Sequence, residues 1–83
     1  MYRLTLTKMA EDDLGRLENI SQKLKYKIQN AISGLSENPD AKEIRVLKNN
    51  GPGITTCFTE VDGLDLLFNL NRPTQTITVL GVN

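Results

Sequence analysis

From Ser21 to Glu37 the chain carries Leu24, Ile28, Ala31, Ile32 and Leu35 at i, i+4, i+7, i+8 and i+11, with Gln22, Lys23, Lys25, Lys27, Gln29 and Asn30 between them. That spacing predicts a helix of about four turns with one buried face. Ser21 supplies an N-cap oxygen, and Pro39 pushes Asn38 out of the helical region and ends the helix. Gly34, beside the stripe, lowers helix propensity by up to ~1 kcal/mol and predicts a close packing partner there. Upstream, Tyr2 to Thr7 alternates Tyr2, Leu4 and Leu6 with Arg3, Thr5 and Thr7, a strand with one buried face. Thr7 then caps a second helix that has Glu11, Asp12 and Asp13 in its early turns and Met9, Leu14, Leu17 and Ile20 on its apolar side. Asn19 to Ser21 leave room only for a tight connection, so the two helices form an antiparallel hairpin.

Past Pro39 the period changes to two. Ile44 and Val46 share one side of a strand, with Arg45 and Leu47 on the other, and Asn49-Asn50-Gly51-Pro52-Gly53 ends it. Ile54 to Glu60 and Leu64 to Leu70 are the next strands. A two-residue Asp62-Gly63 turn would set Glu60 against Asp65, whereas a three-residue loop with Gly63 left-handed pairs Phe58 with Leu66 and Ile54 with Leu70; the second register is expected. Arg72-Pro73-Thr74 turns the chain into a last strand, Gln75 to Val82. The order is β-α-α-β-β-β: an α+β, two-layer domain spanning residues 1–83, with an antiparallel sheet covered on one face by the helical hairpin. The expected core sets the helix stripe on Tyr2, Leu4, Leu6, Ile44, Val46, Phe58, Leu66, Phe68 and Ile77.

Composition narrows the chemistry. The 83 residues hold ten Lys+Arg and ten Asp+Glu, no histidine and one cysteine. A net charge of zero gives no overall field toward nucleic acid or anionic membrane. Without histidine, the usual zinc sites and His-based triads have no members, and one cysteine forms no intrachain disulfide. No metal and no cofactor is expected. No apolar run reaches a membrane span, and Met1 leads directly into a strand, so the chain reads as cytoplasmic. Cys57 reads as a small packing residue, and the Lys23, Lys25, Lys27 run as a solvated helix side.

The element order, with L-S-E-N-P at Leu35 to Pro39, V-L-K-N at Val46 to Asn49, D-G-L-D-L-L-F at Asp62 to Phe68 and T-V-L-G-V at Thr78 to Val82, resembles the RelE/ParE superfamily of toxins from bacterial type II toxin–antitoxin pairs. The resemblance covers nearly the whole chain. It implies a stress-response toxin with a cognate antitoxin, and as target either the ribosome with its mRNA or, in the ParE-like mode, DNA gyrase. RelE-like members are ribosome-dependent mRNA endonucleases that use no metal: the RNA's own 2′-hydroxyl attacks, so the protein supplies a base, an acid and cations for the phosphorane. Where the family places basic residues, this chain has Thr55, Cys57 and Asp65, and it stops at Asn83, where members continue into further Arg, Tyr or His residues. Arg45, Lys48 and Arg72 remain as candidate nucleic-acid contacts.

The reading adopted is a toxin-like component acting by protein binding, without ribonuclease activity. The alternatives are an mRNA endonuclease and an unrelated small interaction module with the same two-layer arrangement. Strand parity that turns Leu66, Phe68 and Ile77 inward turns Leu67, Leu80 and Val82 outward, joined by Leu47, on the sheet face that the helices leave open. These four are the candidate partner contacts, toward an antitoxin or a second copy of the chain in a homodimer.

Overall fold

Thr7 ends one element and starts the next. Its N–H donates to the Val79 carbonyl at 3.0 Å as the last rung of a ladder, while its hydroxyl oxygen accepts from the Ala10 N–H at 3.1 Å and caps a helix. A computed structural model describes residues 1–83. In chain order the elements are β1 (Arg3–Leu6), α1 (Lys8–Ile20), α2 (Gln22–Glu37), β2 (Arg45–Gly51), β3 (Ile54–Val61), β4 (Leu64–Asn71) and β5 (Thr76–Val82). The helices meet at a single residue. Ser21, in extended conformation, gives its N–H to the Leu17 carbonyl at 2.7 Å and accepts from the Leu24 N–H at 3.2 Å, closing one helix and opening the other.

The five strands form one sheet in the order β1-β5-β4-β3-β2. β2 to β5 are antiparallel neighbours, as expected; β1 lies parallel to β5, which makes the sheet mixed. The helical hairpin carries the chain from β1 at one edge of the sheet to β2 at the other. α2 ends against β1, where Ser36 Oγ donates to the Tyr2 carbonyl at 2.9 Å and Tyr2 N–H donates to the Ser36 carbonyl at 3.0 Å. No helix is long and apolar enough to cross a membrane.

The register of β3 and β4 differs from expectation. Val61 stands opposite Leu64 and Glu60 opposite Asp65, joined by a two-residue turn in which Asp62 and Gly63 have φ of 54° and 84°. Two successive positive φ values match the twist of the flanking strands, and Asp-Gly is the pair that adopts them at least cost. Glu60 and Asp65 are exposed, so water and salt screen their repulsion. In exchange, Cys57 pairs with Phe68, Thr59 with Leu66 and Thr55 with Leu70 on the helix side. Cys57 and Phe68 are 1% and 0% exposed. Phe58, expected in the core, faces the other way, opposite Leu67.

The core consists of Ala10, Leu14, Ile28, Ile32 and Leu35 from the helices on Cys57, Leu66, Phe68, Leu70, Ile77, Val79 and Val82 from the sheet, with Tyr2, Leu4 and Ile44 at its margin. Three further expectations are corrected. Val46 has the inward parity, opposite Cys57, but is 63% exposed, because β2 is an edge strand that neither helix packs over. Leu6, on the other edge strand, is 36% exposed. Gly34 has no partner: a Cβ built there meets nothing within 4 Å.

Candidate functional site

The face of the sheet away from the helices carries the candidate site. Residues directly opposite one another across a ladder share a face, so the pairs Thr5–Thr78, Thr78–Asn69, Asn69–Thr56 and Thr56–Lys48 define one row across all five strands. Its hydrogen bonds run along it. The Thr5 and Thr78 hydroxyls lie 3.0 Å apart, Thr56 Oγ1 donates to Asn69 Oδ1 at 2.7 Å, and Asn50 Nδ2 donates to Thr56 Oγ1 at 2.7 Å. Beside this polar row runs an apolar one. Phe58 and Leu67 stand opposite each other in half-buried positions. With Leu47, Asp65 and Asn83 they line a hollow of about 200 Å³. A second hollow, of about 120 Å³, shares Leu67 and Asn83 and adds Met9, Asp13, Leu80, Gly81 and Val82. Together Met9, Leu80, Leu67, Phe58 and Leu47 make an apolar stripe reaching from the first turn of α1 to β2.

Bulges place two of these residues. β2 slips between Val46 and Lys48, which leaves Leu47 as an extra residue 55% exposed. β5 slips between Val79 and Gly81, leaving Leu80 extra. After that slip Val82 stands opposite Leu66 and is 8% exposed. Val82 is therefore core and not a partner contact: uninterrupted alternation would have turned it outward, and the inserted residue reverses the parity. Leu47, Leu67 and Leu80 stay on the stripe. Phe58 and Met9 join it unforeseen. The Asp62-Gly63 dipeptide was the sequence signal for Phe58; Met9 gave none, since at 67% exposure it departs from the apolar face of its helix.

The cations divide. Arg45, opposite Phe58, and Lys48, opposite Thr56, are exposed on the open face, and neither takes part in the four ion pairs of the structure. Arg3 stands at the far edge. Four strand spacings separate β1 from β2, roughly 19 Å, and the row between holds threonine and asparagine, which neither give nor take protons near neutral pH. Arg72 is elsewhere. It pairs with Asp40 beside a helix-side hollow also lined by Val46 and Cys57. The hydrogen bond from Arg72, with its charge, holds the Asp40 carboxyl below its ordinary range; the same bond to Asp40 raises Arg72. Cys57 is sealed in the core with Sγ 3.4 Å from Thr55 Oγ1, and Thr55 shares that inner face. Tyr26, at 57% exposure, is on a helix. The open face thus carries an apolar stripe and the unpaired Arg45 and Lys48, with the exposed carboxylates of Glu60 and Asp65 at its end.

No family model matches the sequence, and no curated protein matches it significantly. Solved structures do match. A chain of the archaeal RelE–RelB complex from Pyrococcus horikoshii superposes with a TM-score of 0.85 at 15% identity, covering 99% of this chain and 92% of that one. The chain has the RelE/ParE toxin fold. A YoeB/ParE toxin from Agrobacterium tumefaciens gives 0.80 at 17% identity, over 98% of this chain and 95% of that one. The RelBE2 toxin–antitoxin complex of Mycobacterium tuberculosis gives 0.78 at 20%, over 99% and 95%. At these identities the likeness concerns the fold, and activity has to be argued from the face itself.

Proposed function

We propose that this RelE/ParE-fold chain is the toxin-like member of a type II toxin–antitoxin pair and acts by binding protein, its open sheet face being covered by a cognate antitoxin. The observation that carries the reading is the apolar stripe. Scattered exposed leucines are ordinary, but Leu47, Phe58, Leu67, Leu80 and Met9 converge on two adjoining hollows, as surfaces covered in a working state do. Arg45 and Lys48, at the end of the stripe without acidic partners, favour a covering segment that brings carboxylates to β2. Several solved relatives of the fold are complexes with antitoxins, among them RelE–RelB of P. horikoshii and RelBE2 of M. tuberculosis, which supports a partner of that kind.

The second reading, an mRNA endonuclease, has one observation in its favour: the same two unpaired cations. Against it stand the neutral row between Lys48 and Arg3 and the acids Glu60 and Asp65 at the end of the face. Co-expression with the product of the adjacent gene is the test. A small DNA-binding protein that co-purifies with the chain and masks Leu67 supports the proposal. Codon-specific cleavage in a reconstituted translation assay, abolished by Lys48→Ala, would replace it with the second reading.

A further inference from the structure

β5 leaves its ladder at one point. Val79 is opposite Phe68 and Gly81 opposite Leu67, so Leu80 is an extra residue, and a bulge of this kind deprives backbone groups of their rungs. α1 and its cap supply the missing partners. Thr7 Oγ1 donates to the Leu80 carbonyl at 3.0 Å, and Asp13 Oδ2 accepts the Val82 N–H at 2.9 Å. Gly81, between them, has no room for a side chain, since a Cβ would lie 2.9 Å from that carboxylate oxygen. Asp13 is the only buried charged residue, 7% exposed, and its second oxygen takes the guanidinium of Arg16. A carboxylate is costly to bury unless it is bonded, and here its bond goes to the strand residue that follows the bulge.

We propose that Asp13 is a positioning residue for the binding face. By holding the Val82 N–H it fixes the bulge, which turns Val82 into the core and leaves Leu80 beside Leu67 and Met9. A β5 without this anchor reverts to plain alternation, in which Leu80 pairs with Leu67 and Val82 turns outward, so Asp13 decides which apolar side chains a partner meets. The inference rests on the open face being the partner surface. Arg16, with a side chain 68% exposed, is not required for the Val82 bond, so Asp13→Asn keeps the anchor through its amide oxygen, whereas Asp13→Ala removes it.

The test uses the full chain with each variant, read by amide exchange at Val82, by methyl contacts of Val82 with Leu66 in solution spectra, and by titration with the protein that co-purifies with the chain on co-expression with its neighbouring gene. Asp13→Ala is expected to expose the Val82 amide, abolish the Val82–Leu66 contacts and weaken binding about tenfold. Asp13→Asn restores all three. Ile32→Val, a core change distant from β5 in sequence, controls for lost stability and leaves the affinity unchanged. Native Val82–Leu66 contacts and wild-type affinity in a folded Asp13→Ala variant would overturn the inference. If Leu67→Lys also leaves affinity unchanged, the binding-face reading itself fails, and the Val82–Leu66 contacts still decide whether Asp13 sets the bulge.

Discussion

Cys57 lies directly opposite Phe68 in the β3–β4 ladder, and the two are buried together under the helical hairpin. The neighbouring pair, Phe58 and Leu67, faces the other way. One choice of turn separates this arrangement from its opposite. With a three-residue loop Phe58 would have been core and the open face poorer in apolar side chains, so the two-residue Asp62-Gly63 turn sets what a partner would meet.

That relationship predicts unequal losses. Phe68→Ala should cost about 3 to 5 kcal/mol and Ile28→Ala about 2 to 5, since both are wholly buried. Phe58→Ala, half-buried on the open face, should cost clearly less than Phe68→Ala. Urea titration of the three variants measures this, and equal losses for Phe58 and Phe68 would contradict the register.

Glycine substitutions should have opposite signs at two positions. Gly63, at φ 84° in the turn, is strained by any side chain, and Gly63→Ala should destabilise by about 1 kcal/mol or more. Gly34 sits in α2 with open space where a Cβ would go, and Gly34→Ala should stabilise by up to ~1 kcal/mol. Thermal melts decide both, and a loss at Gly34 would mean that the glycine is needed for something other than packing within the chain.

The fold was legible because its signals are local and agree with one another: the 3.6 period of Leu24 to Leu35, the caps at Thr7 and Ser21, Pro39, and the period-two runs of the strands. The site was legible only in part. Parity put Leu47, Leu67 and Leu80 on the open face, but parity fails at bulges, and the β5 bulge is bonded by Asp13 and Thr7, residues remote from it in sequence. Arg72 was grouped with Arg45 and Lys48 by charge alone, whereas its side chain is committed to Asp40.

The Asp40–Arg72 pair predicts a pH dependence. Asp40 titrates below its ordinary 3.8 in the folded chain, so folding binds fewer protons there, and the pair stabilises at pH values above about 4. That contribution disappears as pH falls through the lowered folded value. Arg72 is shifted upward, so its share is present at all ordinary pH values and is lost only in strong alkali. Asp40→Asn should flatten the acid limb of stability measured between about pH 2 and 6, modestly because the pair is exposed. An unchanged acid limb would show that the pair does not form in solution.

The final prediction contrasts two residues on opposite sides of the sheet. Leu67 is half-buried on the open face, opposite Phe58, and both apolar hollows adjoin it. Val82 is 8% exposed, opposite Leu66, inside the core. Leu67→Lys can carry its ammonium to water along the open face and should keep the fold, reduce self-association and weaken binding of the proposed antitoxin partner about tenfold or more. Val82→Lys would bury a charge without a partner and should unfold the isolated chain or lower its melting point steeply. Circular dichroism melts and titration with the antitoxin read the two effects separately. If Leu67→Lys unfolds the chain, the open face is packed rather than available. If Val82→Lys folds and instead abolishes binding, the bulge is absent in solution and the outward alternation of the last strand is the correct one.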